Sequence, residues 1–306
     1  MKHKRIKMKR MILIKMKHKK VIKKLGKNWR KIAMKNNKII AIWGNPNSGK
    51  TTLSIKIASE LVKKNKSVIL VMADPYAPAI HTVLPFTETK DQSLGALLSS
   101  IQISQESILK KCIPVQNTKN LSILSYLHGE NIRTYADYGK ERVLDLFILL
   151  KHLADHIIVD CSSQFHHDLL SRGALELSDQ VIRLISPDLK AISFYDASLP
   201  LLGERKYNVA NHIKILSNVK PEMPKDIVGN RFGGIQNELD YSEELQRQVL
   251  EARLFETLTD KKSEGYNKQL QSLMDILFFG EDDHEKKEKK SEKKLKIAFL
   301  KKGSDA

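Results

Sequence analysis

Six short apolar runs, rich in β-branched residues, punctuate the chain: Ile39 to Trp43, Val68 to Met72, Leu121 to Leu124, Ile157 to Val159, Val181 to Ile185 and Ile213 to Leu216. None alternates apolar with polar positions, so each predicts a strand covered on both faces rather than one with a wet side. Helical spacing fills the intervals. Thr52 to Lys64 sets Leu53, Ile57, Leu61 and Val62 on one face, and Tyr138 to Ala154 does the same with Val143, Leu146, Phe147 and Leu150. Buried strands alternating with amphipathic helices predict an α/β fold, a doubly wound, mostly parallel sheet flanked by helices. A ligand then belongs at the carboxyl ends of the strands, where the polar candidates of this sequence sit.

Composition narrows this picture without changing it. With 41% hydrophobic residues in a chain of 306, an ordinary packed core is affordable. No apolar run approaches the roughly 20 residues that span a bilayer, and Met11 to Ile14 is too short for a signal-peptide core, so a cytoplasmic protein is expected, at most peripheral to the inner face of the membrane. Cys112 and Cys161 have no ligand-like spacing and read as reduced thiols, Cys161 as a small core residue.

The net charge of +18 is concentrated at one end: residues 1–38 hold 17 of the 53 Lys and Arg and no acid. The rest is close to balanced. From residue 281 the run EDDHEKKEKKSEKK is mixed-charge and of low complexity. The expected organisation is a basic tail at 1–36, a globular domain at 37–280 and a charged tail at 281–306. Within the first tail, Val21, Ile22, Leu25, Trp29 and Ile32 share a helical face among lysines and arginines, a pattern suited to an anionic membrane surface. The same charges suit nucleic-acid phosphates. A third reading starts translation at Met34, just ahead of the first strand, and leaves residues 1–33 untranslated.

The chemistry is concentrated in Gly44-Asn45-Pro46-Asn47-Ser48-Gly49-Lys50-Thr51, a full G-x-x-x-x-G-K-[ST] pattern between a buried strand and an amphipathic helix. Glycines let the backbone of Gly44, Asn45, Asn47, Ser48 and Gly49 curl so that successive N–H groups face phosphate oxygens, aided by the positive end of the helix that begins near Thr52. Lys50 supplies a point charge for the β and γ phosphates of a nucleotide, and the Thr51 hydroxyl is a ligand for Mg²⁺. Asp160, ending the run HIIVD, is placed to hold the Mg²⁺ shell from a neighbouring strand. Asp74, ending SVILVMAD, is placed to act on a water beside the γ-phosphate, although Asp-Pro-Tyr also reads as a turn.

Taken together these residues resemble the ParA/MinD family of P-loop ATPases, which includes the CpaE and TadZ pilus-localisation proteins. The likeness spans about residues 37 to 260. ADPYAP at Asp74 is similar to the family's DxDPxxx switch, VDCSS at Asp160 to its second switch, and LSNV sets Asn218 where the family reads adenine; LDYSEELQRQVLEARLF resembles a late CpaE-like segment. The resemblance implies an ATP- and Mg²⁺-dependent switch that positions or partitions a cellular cargo, a plasmid or chromosome, a pilus or secretion machinery. Two departures stand out. The family's signature lysine follows the first glycine and crosses to a partner subunit's phosphates, whereas here that position is Asn45; the first acid of the switch is Met72. Weak or ATP-insensitive homodimerisation is therefore expected, with Asn45→Lys increasing ATP-dependent pairing. Lys293 to Lys302 is similar in arrangement to the segment with which MinD docks on lipid.

Two other functions compete. A scaffold would bind ATP and barely hydrolyse it, as Asn45 suggests. A P-loop kinase or ligase would need arginines near the γ-phosphate, whereas Arg133, Arg142, Arg172 and Arg183 are scattered in sequence.

Overall fold

The computed structural model describes residues 37–85 and 91–278. Eight strands form one sheet: β1 (Lys38–Gly44), β2 (Val68–Met72), β3 (Ile113–Pro114), β4 (Leu121–Ser125), β5 (His156–Asp160), β6 (Gln180–Ile185), β7 (Ile213–Val219) and β8 (Asn237–Asp240). Their order is β3-β4-β2-β5-β1-β6-β7-β8, parallel throughout except for the antiparallel β3–β4 edge. This is the doubly wound sheet that the six apolar runs predict, with two further strands at its edges.

The helices are α1 (Lys50–Lys63), α2 (Ile80–Val83), α3 (Leu94–Leu98), α4 (Gln105–Lys111), α5 (Lys140–Leu153), α6 (Leu169–Leu177), α7 (Leu189–Ser198), α8 (Lys225–Arg231), α9 (Glu243–Leu250) and α10 (Glu264–Phe278). Helices cover both faces, which is why the strands read as continuous apolar runs. Ile39, Ala41 and Trp43 of β1 pack on one side with Val143, Leu146, Phe147 and Leu150 of α5 and Leu170 of α6. Ile40 and Ile42 face the other side, against Leu53, Ile57 and Leu61 of α1 and Leu270, Leu273 and Leu277 of α10. Each of the Ile, Leu, Val and Phe side chains contributes roughly 1.5–3 kcal/mol by leaving water, so the central strand is fixed from both sides.

Trp43 is fully buried and makes edge-on ring contacts with Phe165 at 5.3 Å and Tyr195 at 5.4 Å. Its indole Nε1–H donates to the Ser163 carbonyl at 3.1 Å, so the last apolar residue before the glycine loop also anchors the segment after β5. Both cysteines are buried free thiols, and burial pushes the Cys112 thiol up to about 11. Among the described residues no helix is long and apolar enough to cross a membrane. The basic tail and the 281–306 tail lie outside the described residues.

Candidate phosphate-binding site

β1 and β5 are neighbours in register, with Ile42 opposite Asp160, so the loop after β1 and the carboxylate ending β5 emerge side by side at the carboxyl edge of the sheet. Gly44 has no room for a side chain: a Cβ there would sit 2.1 Å from the Leu184 carbonyl oxygen of β6, backbone that cannot turn away. The loop therefore begins pressed on β6. Asn47 (φ 61°) and Gly49 (φ 85°) are left-handed, and these two inversions curl the chain into the start of α1. The sequence pattern thus folds into a cradle whose floor is the N-terminus of α1.

Three hydroxyls that the sequence reading missed hold the cradle in place. Ser217 Oγ, on β7, donates to the Ser48 carbonyl at 2.7 Å. Ser186, after β6, receives the Asn45 Nδ2–H on its Oγ at 2.6 Å and donates its own backbone N–H to Asn45 Oδ1 at 3.1 Å. Ser163 Oγ accepts from Lys50 Nζ at 2.6 Å. Their shared signal is a small hydroxyl close to a strand's carboxyl end, just past it in LISPD and VDCSS and within its last residues in LSNV.

The two metal-ligand candidates meet directly: Thr51 Oγ1 donates to Asp160 Oδ2 at 2.6 Å. Asp160 is 5% exposed, and its other oxygen, Oδ1, is buried without a hydrogen-bond partner. Burial raises this carboxyl to about 6, against the pull of the Thr51 hydroxyl and the Lys50 charge. Burial also lowers the Lys50 ammonium from its ordinary value, with Asp160 and then Asp74 opposing that shift. An orphaned carboxylate oxygen beside a threonine hydroxyl is a hard-oxygen pair that suits Mg²⁺, and a divalent charge there would offset the desolvation. Ser48 Oγ is likewise buried and unpartnered.

Asp74 follows β2 and lies at the same edge. One of its oxygens, Oδ1, accepts from the backbone N–H of Tyr76 at 2.9 Å and of Ala77 at 3.3 Å, so the turn expected of Asp-Pro-Tyr is formed. The turn does not remove Asp74 from the site, because it lines the cavity that opens over the loop.

That cavity has a volume of about 650 Å³. Asn47, Ser48, Gly49, Lys50, Thr51 and Thr52 line it, with Asp74 and Asp160 from β2 and β5 on one side of β1. Asn218, left-handed at φ 56° and exposed, lines it from β7 on the other side of β1, with Asp240 and Tyr241 from the end of β8. Of the expected residues, Gly44 and Asn45 do not line it. Asn45 is 4% exposed and its side chain is turned to Ser186, which leaves its backbone as the part that belongs to the loop. No arginine among the described residues lines the cavity.

A phosphate cradle at the carboxyl edge of a mostly parallel, two-sided sheet defines a P-loop protein of the α/β class. The chain belongs to the AAA domain family, whose model matches residues 30–201, more than half of the sequence. No curated protein matches the chain in sequence. Solved structures share its fold: a ParA-family ATPase from Chlorobium tepidum TLS (TM-score 0.63, 16% identity, covering 76% of this chain and 96% of that one); a plasmid partition protein of Borrelia burgdorferi B31 bound to AMPPNP (0.58, 20%, 79% and 98%); and MinD of Pyrococcus horikoshii OT3 with Mg-ADP (0.56, 16%, 79% and 97%). The fold is thus the P-loop fold of ParA and MinD.

Proposed function

We propose that the protein is a Mg²⁺-dependent ATP-binding switch of the ParA/MinD type, a weak ATPase that positions or partitions a cellular cargo. The observation that carries this reading is the Thr51–Asp160 contact with Asp160 Oδ1 left unpartnered beside a complete phosphate loop. The Mg·ADP and AMPPNP named with two of the fold's solved neighbours support the same ligand class.

On this reading the backbone N–H groups between Asn47 and Lys50 donate to the phosphate oxygens, and Thr51 and Asp160 would hold Mg²⁺, which would supply charge neutralisation along the triphosphate. Lys50, which donates to Ser163 Oγ at 2.6 Å and to the Asn45 carbonyl at 3.3 Å, supplies the point charge for the phosphates, and its contact with Ser163 ties the loop to the segment after β5. Asp74, steadied by its turn, orients the attacking water. Asn218, which lines the same cavity, receives the base.

Asn45 and Met72 set the chain apart from the usual family pattern and favour slow hydrolysis and the CpaE/TadZ-like subgroup. Its globular part spans residues 37–280, it acts in the cytoplasm, and its basic tail brings it to anionic membrane or nucleic acid. Titration calorimetry tests the core of the proposal. Mg·ATP should bind wild type, Lys50→Ala should weaken binding at least a hundredfold, and single-turnover phosphate release should vanish in Asp74→Ala. Absence of Mg·ATP binding, or binding indifferent to Lys50→Ala, overturns it; binding with no release above background leaves an ATP-dependent scaffold instead.

A further inference from the structure

Lys56 lies in α1, five residues beyond Thr51 and so about 7.5 Å further along the helix axis. It is 5% exposed, in a class of side chain that almost never loses its water. Its ammonium donates to Gln248 Oε1 at 2.6 Å, to the Leu254 carbonyl at 2.8 Å and to the Glu256 carbonyl at 2.7 Å. Three donors meet three neutral acceptors, and every one belongs to a single stretch of chain.

That stretch, residues 242–260, is tied to itself more than to the rest of the molecule. Glu244 accepts from the backbone N–H of Thr259 at 2.8 Å and of Asp260 at 2.9 Å, and Arg247 donates to Asp260 at 2.7 Å. Its Ser242, Leu245, Gln246 and Val249 line the cavity, continuing from Asp240 and Tyr241 at the carboxyl end of β8, which lies across β1 from β5 and β2 in the sheet. Leu254 and Leu258 pack it into the core beside α1, but apolar contact alone leaves its rotation loosely defined. An apolar residue at position 56 would have been cheaper to bury. A point cation coordinated by three fixed acceptors adds orientation.

We propose that Lys56 is a positioning residue: it pins segment 242–260 to the helix that carries the phosphate loop, and so sets the wall that receives the non-phosphate end of the nucleotide. The inference rests on the nucleotide reading of the cavity. Phosphate affinity resides in the loop, whereas discrimination between a nucleotide and a bare triphosphate depends on this wall. Gln248, 2% exposed, is the segment's side-chain contribution to the same contact.

Calorimetric titration with Mg·ATP and, separately, with magnesium inorganic triphosphate tests this. Wild type should bind ATP more tightly than triphosphate. Lys56→Met should lose at least tenfold in ATP affinity while its triphosphate affinity stays within twofold, and Gln248→Leu should lose about threefold in the same selective way. A merely structural loss would lower both ligands together. Should Lys56→Met not fold, Gln248→Leu decides alone. An ATP-to-triphosphate ratio unchanged in the variants, or equal weakening of both ligands, overturns the role of Lys56 and leaves the nucleotide reading intact. Equal affinities in wild type do the same, since the wall then contributes nothing. A wild type that binds neither ligand overturns both.

Discussion

Asn45 stands at the position where the ParA/MinD resemblance leads one to expect a lysine, and its amide is committed inside its own subunit. It donates to Ser186 Oγ and accepts from the Ser186 backbone N–H, tying the start of the phosphate loop to the turn after β6. Replacing Asn45 by lysine therefore carries a cost within the subunit. The substitution would break both bonds, strand the Ser186 polar groups and force an ammonium out of a position that is 4% exposed. Unmaking a buried hydrogen-bonded pair of this kind costs about 3 kcal/mol. Asn45→Lys should therefore lower the denaturant midpoint without changing the slope, and any gain in ATP-dependent pairing should appear only in the fraction that remains folded. Chemical denaturation and sedimentation with and without Mg·ATP check the two parts. An unchanged midpoint would show that the Asn45–Ser186 contact does not brace the loop.

Between β6 and β7 a similar polar contact fixes how elements meet, and here pH provides the test. Arg183 on β6 and Lys214 on β7 face each other in register. Just before β7, His212 is 2% exposed; its Nδ1 lies 3.3 Å from an Arg183 guanidinium nitrogen and its Nε2 lies 2.7 Å from the Tyr207 carbonyl. Both contacts are made only by the neutral ring with the proton on Nε2, which donates to Tyr207 and accepts from Arg183. Burial lowers this imidazole to about 4, with the Arg183 charge acting in the same direction. The unfolded chain takes up the proton near pH 6.5, the folded one not until about pH 4. The contribution is thus complete above about pH 6.5 and is lost as pH falls through about 4, amounting to about 3 kcal/mol. His212→Gln keeps a donor and an acceptor without a titrating group, so stability measured from pH 7 to 4 should fall more steeply in wild type than in the variant. Parallel curves would place the proton elsewhere.

At this scale, too, the limits of the sequence are visible. Covering both faces of β1, β2, β5 and β6 makes nearly every interior position apolar, Arg183 of β6 being the exception, and such runs stand out in a sequence. β8, at the sheet edge, reads NELD and buries only Leu239, while β3 is a two-residue antiparallel pairing; neither has a periodicity to detect. The site divides in the same way. The phosphate loop is contiguous and its spacing is dictated by the phosphates, so it was legible; Asp160 and Asp74 were legible because they end apolar runs. Ser163, Ser186, Ser217 and the Lys56–Gln248 contact join positions 113 to 192 residues apart, and no local pattern announces which hydroxyl or amide will arrive.

For the whole molecule the separation of charge from chemistry matters most. The described domain carries the cavity, while residues 1–38 hold 17 of 53 basic residues and no acid. A globular part near neutrality has little field with which to attract a polyanion, so binding to one should depend on the tail alone. Basic residues near an anionic surface contribute about 1 kcal/mol each, and that attraction fades within about 10 Å at 0.1 M salt. The apolar set Val21, Ile22, Leu25, Trp29 and Ile32 adds a term that salt does not screen, which only a lipid surface can receive. Deleting residues 1–36 should accordingly abolish cosedimentation with vesicles containing phosphatidylserine while leaving the Mg·ATP affinity within twofold. The full chain should bind those vesicles strongly at 50 mM salt and retain part of the binding at 500 mM. Duplex DNA separates the alternatives, because counterion release makes binding to it collapse over the same salt range. Binding to DNA that exceeds binding to vesicles at low salt, with nothing retained on vesicles at high salt, would assign the tail to nucleic acid. No salt-sensitive binding to either would show that the tail's charge serves no polyanion.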